Sequence, residues 1–157
     1  MSVPLTFDIN GVKACQRNRH PLLFVDYVYD VIPGQSASAI KCFSYNEWFF
    51  PAHFDDEPTV PGFIQIESLV QTFIMTFLSQ EDLRGEKTNF LDISSVKFRR
   101  KIVPGETLKT HATLKSFRRG IACGSAESFV GLEPACSGEF VVAVPSILNR
   151  FKPKGAL

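Results

Sequence analysis

Pro61-Gly-Phe-Ile-Gln-Ile-Glu-Ser-Leu-Val-Gln-Thr-Phe-Ile-Met-Thr-Phe-Leu-Ser79 is the stretch on which the fold turns. Phe63, Ile64, Ile66, Val70, Phe73, Ile74, Phe77 and Leu78 recur at helical spacing and cover more than one face. Pro61 suits a first helical turn. A helix apolar nearly all round belongs in an interior. Runs of a different kind lie on both sides. Leu22–Val31 is rich in β-branched and aromatic residues and stops at Pro33-Gly34, and Gln35–Phe43 continues as its hairpin partner. Phe90–Val103, Thr107–Phe117, Ile121–Val130 and Ser137–Val144 follow the helix. The expectation is α+β: one long central helix wrapped by a six-stranded, meander-like antiparallel sheet. Such a single-layered sheet leaves a face and edges uncovered, which favours a dimer.

The composition fits one globular domain over residues 1–157. The chain is 45% hydrophobic and 21% charged, and its 15 phenylalanines predict a large apolar interior or tunnel. A formal net charge of +1 argues against a dedicated nucleic-acid binder. The start has neither a charged n-region nor an apolar h-region, and no run is apolar enough to span a membrane. Cytoplasmic residence is the expectation, with the tail Arg150–Leu157 polar and frayed. Cys15, Cys42, Cys123 and Cys136 stand far apart and read as buried, reduced thiols. His20, His53 and His111 are also scattered, so spacing gives no metal site.

Chemistry concentrates in Asn46–Gln71, where a loop bearing His53 feeds the buried helix. Glu67 sits two turns in, among Phe63, Ile64 and Val70, where desolvation favours its protonated form. A neutral acid near a histidine suits general acid–base work. The helix start at Gly62 and Phe63 offers free backbone N–H groups to a carbonyl oxygen gaining negative charge. Each part also has a plainer reading: a structural His, a Glu that only pairs with Gln71, and a Pro-Gly helix entry.

The segment resembles the 3-hydroxyacyl-[acyl-carrier-protein] dehydratases of bacterial fatty-acid synthesis, the FabZ group of the hot-dog fold. Phe49, Phe50, His53, Phe54, Pro58, Pro61, Gly62, Glu67 and Gln71 stand in the register of that family's signature. Arg19–Asp26, Val96–Glu106 and Arg118–Ile121 are similar to three further blocks of it. The resemblance runs from about residue 17 to 144.

It implies a hydro-lyase that dehydrates a 3-hydroxyacyl thioester on acyl carrier protein to the trans-2-enoyl thioester, with no cofactor or metal. His53 would take the C2 proton and Glu67 would protonate the departing hydroxyl, with Gln71 supporting it. The N–H groups of Gly62 and Phe63 would polarise the thioester carbonyl. His and Glu of one site would come from different subunits. The assembly implied is a homodimer, a trimer of dimers, or a heterodimer with a related hot-dog subunit. Lys97, Arg99, Arg100, Lys101, Arg118 and Arg119 would dock the acidic carrier, their two strand regions coming together; the plainer reading is a solvated face. Ala52, Asp55-Asp56, Phe63 and Asn18 depart from the family pattern, Asn18 standing where the family has His. Phe63 and Phe73 are placed to narrow an acyl tunnel or stack on a conjugated chain, which points to a specialised lipid or polyketide pathway beside fatty-acid synthesis. Alternatives are a hot-dog thioesterase, which typically lacks the His–Glu pairing, and a non-catalytic acyl-binding or assembly subunit.

Overall fold

Helix α2, Gly62–Leu78, runs through the middle of the molecule with every residue from Ser68 to Leu78 buried. The computed structural model describes residues 3–152. Around α2 curls one antiparallel sheet of seven strands: β1 (Leu5–Phe7), β2 (Tyr27–Ile32), β3 (Ser36–Cys42), β4 (Asn89–Phe98), β5 (Thr107–Arg118), β6 (Ile121–Val130) and β7 (Glu133–Ala143). Their order across the sheet is β1-β2-β3-β5-β6-β7-β4. The chain therefore meanders twice, and α2 carries it across to place β4 at the far edge. Short helices α1 (Ile9–Cys15) and α3 (Pro145–Leu148) stand outside this plan.

The sheet wraps α2 closely because its inner face is lined with small residues. Ala37, Ala39, Ala112, Ala122 and Ala126 are buried there, while the helix supplies Leu69, Phe73, Met75 and Phe77. Large side chains on the rod against small ones on the wrapper bring backbone near backbone. Gly124 marks the tightest approach: a Cβ there would collide with the Thr113 carbonyl and the Phe73 ring.

Several expectations need correction. A seventh strand, β1, joins the six; at three residues it is too short to carry periodicity. Leu22–Asp26 is not strand, because backbone groups of Leu22 and Phe24 go to side chains of α2 in place of a sheet ladder. The Phe24 N–H donates to Gln71 Oε1 at 2.7 Å, Gln71 Nε2 donates to the Leu22 carbonyl at 2.7 Å, and Ser68 Oγ donates to the Phe24 carbonyl at 2.9 Å. β4 ends at Phe98 and not at Val103. β7 begins at Glu133, before Pro134, since Val130↔Glu133 and Phe129↔Pro134 pair directly across the turn at Gly131. Cys15 and Cys136 are buried free thiols, burial pushing Cys136 up to about 11. Cys42 is exposed, falling on the outward side of β3. Phe73 packs flat against Phe140 in the core at 5.9 Å between centroids, completely buried, so it lines no tunnel within this chain. Asn149–Phe151 forms a 3₁₀ turn where a frayed tail was expected, and residues 153–157 of that tail lie outside the described residues.

Gly124→Ala is expected to destabilise the fold by about 2 kcal/mol or more, since neither the β5 backbone nor the Phe73 ring can retreat without unpacking the core. Denaturant unfolding of the parent and variant checks this; an unchanged midpoint would refute the tight-approach account.

Candidate functional site

The loop between β3 and α2 is pinned by an aromatic plug. Phe24, Phe43, Phe49, Phe50, Val60, Ile64, Ile102 and Leu108 form a second buried cluster, with Phe49 and Phe50 centroids 4.8 Å apart. The residues after the plug must turn outward, and the His53 N–H closes that turn on the Phe49 carbonyl at 2.9 Å. His53 is thereby held half-buried at the entry to α2. Its Nδ1 lies 3.0 Å from the Thr59 carbonyl and 3.2 Å from Thr59 Oγ1. A carbonyl only accepts, so Nδ1 carries the hydrogen and the neutral ring keeps its lone pair on Nε2. That is the state required of a base.

Helix α2 begins with its first hydrogen bonds at the Ile64 and Gln65 N–H groups, both to the Pro61 carbonyl. The Gly62 and Phe63 N–H groups precede these and have no intrahelical acceptor. Gly62 packs closely on the end of β4: a Cβ would stand 3.0 Å from the exposed Phe98 ring, which would have to shift to admit it. Phe54, Phe63 and Phe98 are all more than half exposed, a group of bare aromatic rings at the helix entry and the end of β4. Gln65, which sequence reasoning passed over, lines the same pocket as His53, Gly62 and Phe98; it is buried, and its Oε1 has no partner among the described residues.

Glu67 faces elsewhere. It stands two positions after Gln65, which on a helix is more than half a turn. It opens into a separate pocket with Arg17, Asn18, Gln71, Glu86, Lys87, Asn89 and Phe90. Gln71 Nε2 donates to its Oε1 at 2.8 Å and Asn18 Nδ2 to the same oxygen at 3.3 Å. Burial raises the Glu67 pKa above the ordinary carboxylate value, an effect that the Gln71 hydrogen bond partly offsets. His53 and Glu67 of one chain thus line different pockets.

The basic positions also separate. Arg118 shares a cross-sheet row with Ile121, Ala143 and Asn89, whereas Lys97 shares one with Ser137, Glu127 and His111. Most of a strand's length, roughly 23 Å, divides the two groups, so they do not meet within the protomer. Arg100 pairs with Glu106 and Glu133, and Lys101 pairs with Glu57. The Arg99 guanidinium donates to Ser137 Oγ at 3.3 Å, and Arg119 lies over the Phe151 ring. Among the described residues no group of three His, Cys, Asp or Glu side chains could hold a metal ion. No helix among them is long and apolar enough to cross a membrane.

A sheet curled around one buried helix, with a histidine loop at the helix entry and a carboxyl inside, defines the hot-dog class of acyl-thioester proteins. A model of the FabA-like domain matches residues 17–139, and the chain belongs to that family. The 3-hydroxyacyl-[acyl-carrier-protein] dehydratase FabZ of Clostridium kluyveri is 33% identical over 140 residues, covering 89% of this chain and 97% of that one. The FabZ of Clostridium novyi is 37% identical over 137 residues, covering 85% and 96%. Among solved structures, the dehydratase heterocomplex ApeI:P from Xenorhabdus doucetiae matches with a TM-score of 0.75 at 14% identity, over 88% of this chain and 95% of that one. At that identity the likeness speaks to the fold alone.

A carboxyl whose folded pKa stands above its unfolded one stabilises most at low pH, and that contribution is lost as pH rises through the folded pKa. Parent stability should therefore fall relative to Glu67→Gln as pH rises above about 4, the ordinary carboxylate value. Parallel urea titrations across that range test it, and a pH-independent difference would mean that Glu67 titrates normally.

Proposed function

We propose that this chain is a 3-hydroxyacyl-[acyl-carrier-protein] dehydratase of fatty-acid synthesis, a hydro-lyase whose active site is completed by a second subunit. One observation carries the composite site: each half of the chemistry sits at a different end of the same bare edge strand. β4 is ten residues long and exposed along nearly all of its length, with Phe90, Leu91, Ile93 and Phe98 uncovered. Its Phe98 end lines the His53 pocket and its Asn89–Phe90 end lines the Glu67 pocket. A long apolar edge strand seeks a partner. When two copies of one strand pair antiparallel about a two-fold axis, the end of one lies beside the start of the other. The His53 pocket of one protomer then meets the Glu67 pocket of its partner. By the same operation the Lys97–Arg99 group of one chain approaches the Arg118–Arg119 group of the other, giving an acidic carrier and its phosphopantetheine a joint basic surface.

In this site His53 Nε2 takes a proton from C2 of the thioester. The charge that develops on the carbonyl oxygen is held by the Gly62 and Phe63 N–H groups at the positive end of α2. As the C2=C3 double bond forms, the C3–O bond breaks and Glu67 gives its proton to the departing hydroxyl, which leaves as water. Imidazolium and carboxylate then reset by proton exchange with solvent. The FabZ relatives support the reaction class. The Thr59-fixed tautomer of His53 and the raised pKa of Glu67 support the two roles. The whole chain acts as one domain, and the cytoplasm, where acyl carrier protein is charged, is the compartment proposed. A related hot-dog chain with its own free edge strand would serve as partner equally well, as in the ApeI:P heterocomplex.

Purified protein with 3-hydroxybutyryl and 3-hydroxydecanoyl carrier protein should lose water, followed by mass spectrometry. His53→Ala and Glu67→Gln should each lower the rate by roughly 10²–10⁴-fold. Mixing these two inactive variants should restore about a quarter of parent activity, because half of randomly assorted dimers are mixed and each carries one intact site of two. Water loss without recovery on mixing would place both residues in one subunit's site and sink the composite arrangement.

A further inference from the structure

Segment 16–19 crosses α2 at the level of Glu67, and almost every side chain in it is tied to backbone. Gln16 Nε2 donates to the Gln71 carbonyl at 3.4 Å, and Arg17 Nε to the Gly85 carbonyl at 2.5 Å. Arg19 donates to the carbonyls of Gln16, Asn18 and Lys13. Asn18 is the exception. Its side chain points to Glu67 alone, on the wall of that pocket.

The orientation of Gln71 is not free. Its Oε1 takes the Phe24 N–H and its Nε2 gives to the Leu22 carbonyl; a flipped amide would set two carbonyl oxygens against each other and two N–H groups together. The N–H that it turns to Glu67 is therefore a true donor, and Glu67 Oε1 is an acceptor. Asn18 meets the same oxygen with its Nδ2, also as a donor. Among the described residues both hydrogen bonds fall on Oε1 and none falls on Oε2.

We propose that Asn18 is a positioning residue that, with Gln71, saturates one oxygen of Glu67 and so confines the transferable proton to the other, Oε2. This rests on the dehydratase reading for its use in turnover, but the effect on Glu67 itself does not. A residue with no charge of its own holds the acid steady across the working pH range, where the histidine of the resembled family would add a second titration. The other charged groups facing Glu67 in the pocket are Arg17 and Lys87, both positive, and Glu86, which accepts from Ser146 Oγ at 2.6 Å. None of them hydrogen-bonds the Glu67 carboxyl among the described residues.

Asn18→Leu keeps the shape and removes the donor. An N–H bond favours the carboxylate over the acid, so its loss should move the Glu67 titration to higher pH by about half a unit to one unit, read from the side-chain carboxyl carbon by NMR. The pH–rate limb on which Glu67 loses its proton should move the same way, with kcat down about tenfold and KM within about twofold, since Asn18 touches no substrate. Asn18→His, which restores a donor, should recover most of kcat. In the parent the Asn18 NH₂ resonances should titrate with Glu67 and stop doing so in Glu67→Gln, a reading that needs no variant at position 18 to fold. An unmoved Glu67 titration in Asn18→Leu overturns the proposal, as does a fall in kcat that follows lost thermal stability with an identical pH limb. If Glu67→Gln dehydrates at the parent rate while the Asn18 amide still follows Glu67, the dehydratase reading falls and the positioning role stands. If Glu67→Gln is inactive and Asn18→Leu behaves as the parent, only the positioning role falls.

Discussion

A helix with almost no solvated face has to exchange nearly its whole surface with protein, and in this chain that demand organises everything else. The apolar side of α2 is met by a sheet with five alanines on its inner face, so the wrapping is tight and the sheet must curl. Its polar residues cannot be met that way. Ser68 and Gln71 are met by Leu22 and Phe24, drawn out of strand geometry to lie along the helix. Gln71 is satisfied by three groups at once, and one of them is the Glu67 carboxyl. A buried amide left without those partners would cost about 1–3 kcal/mol, so the contact that holds the acid is also one that the fold needs.

Much of this was legible in the residues. The eight apolar positions from Phe63 to Leu78 gave α2 and its burial, and the turn signal at Pro33-Gly34 delimited strands close to where they occur. Leu22–Asp26 misled because β-branched and aromatic residues state only that a segment is buried and extended. Which groups satisfy its backbone is decided by tertiary packing. The strand expected at Ser137–Val144 starts earlier, at Glu133: a proline near a strand's start costs no ladder bond there, and pairing runs on through Pro134. Of the site, His53, Gly62, Glu67 and Gln71 could be named from spacing. The separation of His53 from Glu67 could not, because it depends on the helical angle between Gln65 and Glu67 together with the place of β4 at the sheet's far edge. Asn18 registered only as a departure from a pattern, and its contact with Glu67 spans 49 positions of sequence.

The departures near His53 change the character of the pocket mouth more than its chemistry. Phe54, Phe63 and Phe98 make an aromatic rim, and Asp55, Asp56 and Glu57 add negative charge beside Lys101 and Arg100, both already paired. Of the cations at that end, Lys97 and Arg99 are the ones without a carboxylate partner among the described residues. Positive charge at that end is therefore local and thin.

The bare strand β4 has one more implication, for the life of the newly made chain. Until it is covered, ten residues of extended backbone with four uncovered apolar side chains are open to any other β-rich polypeptide in the vicinity. On the proposed two-subunit reading, dilution is thus a hazard to solubility as well as to turnover, and crowded synthesis, where a sister chain is near at hand, works in this protein's favour.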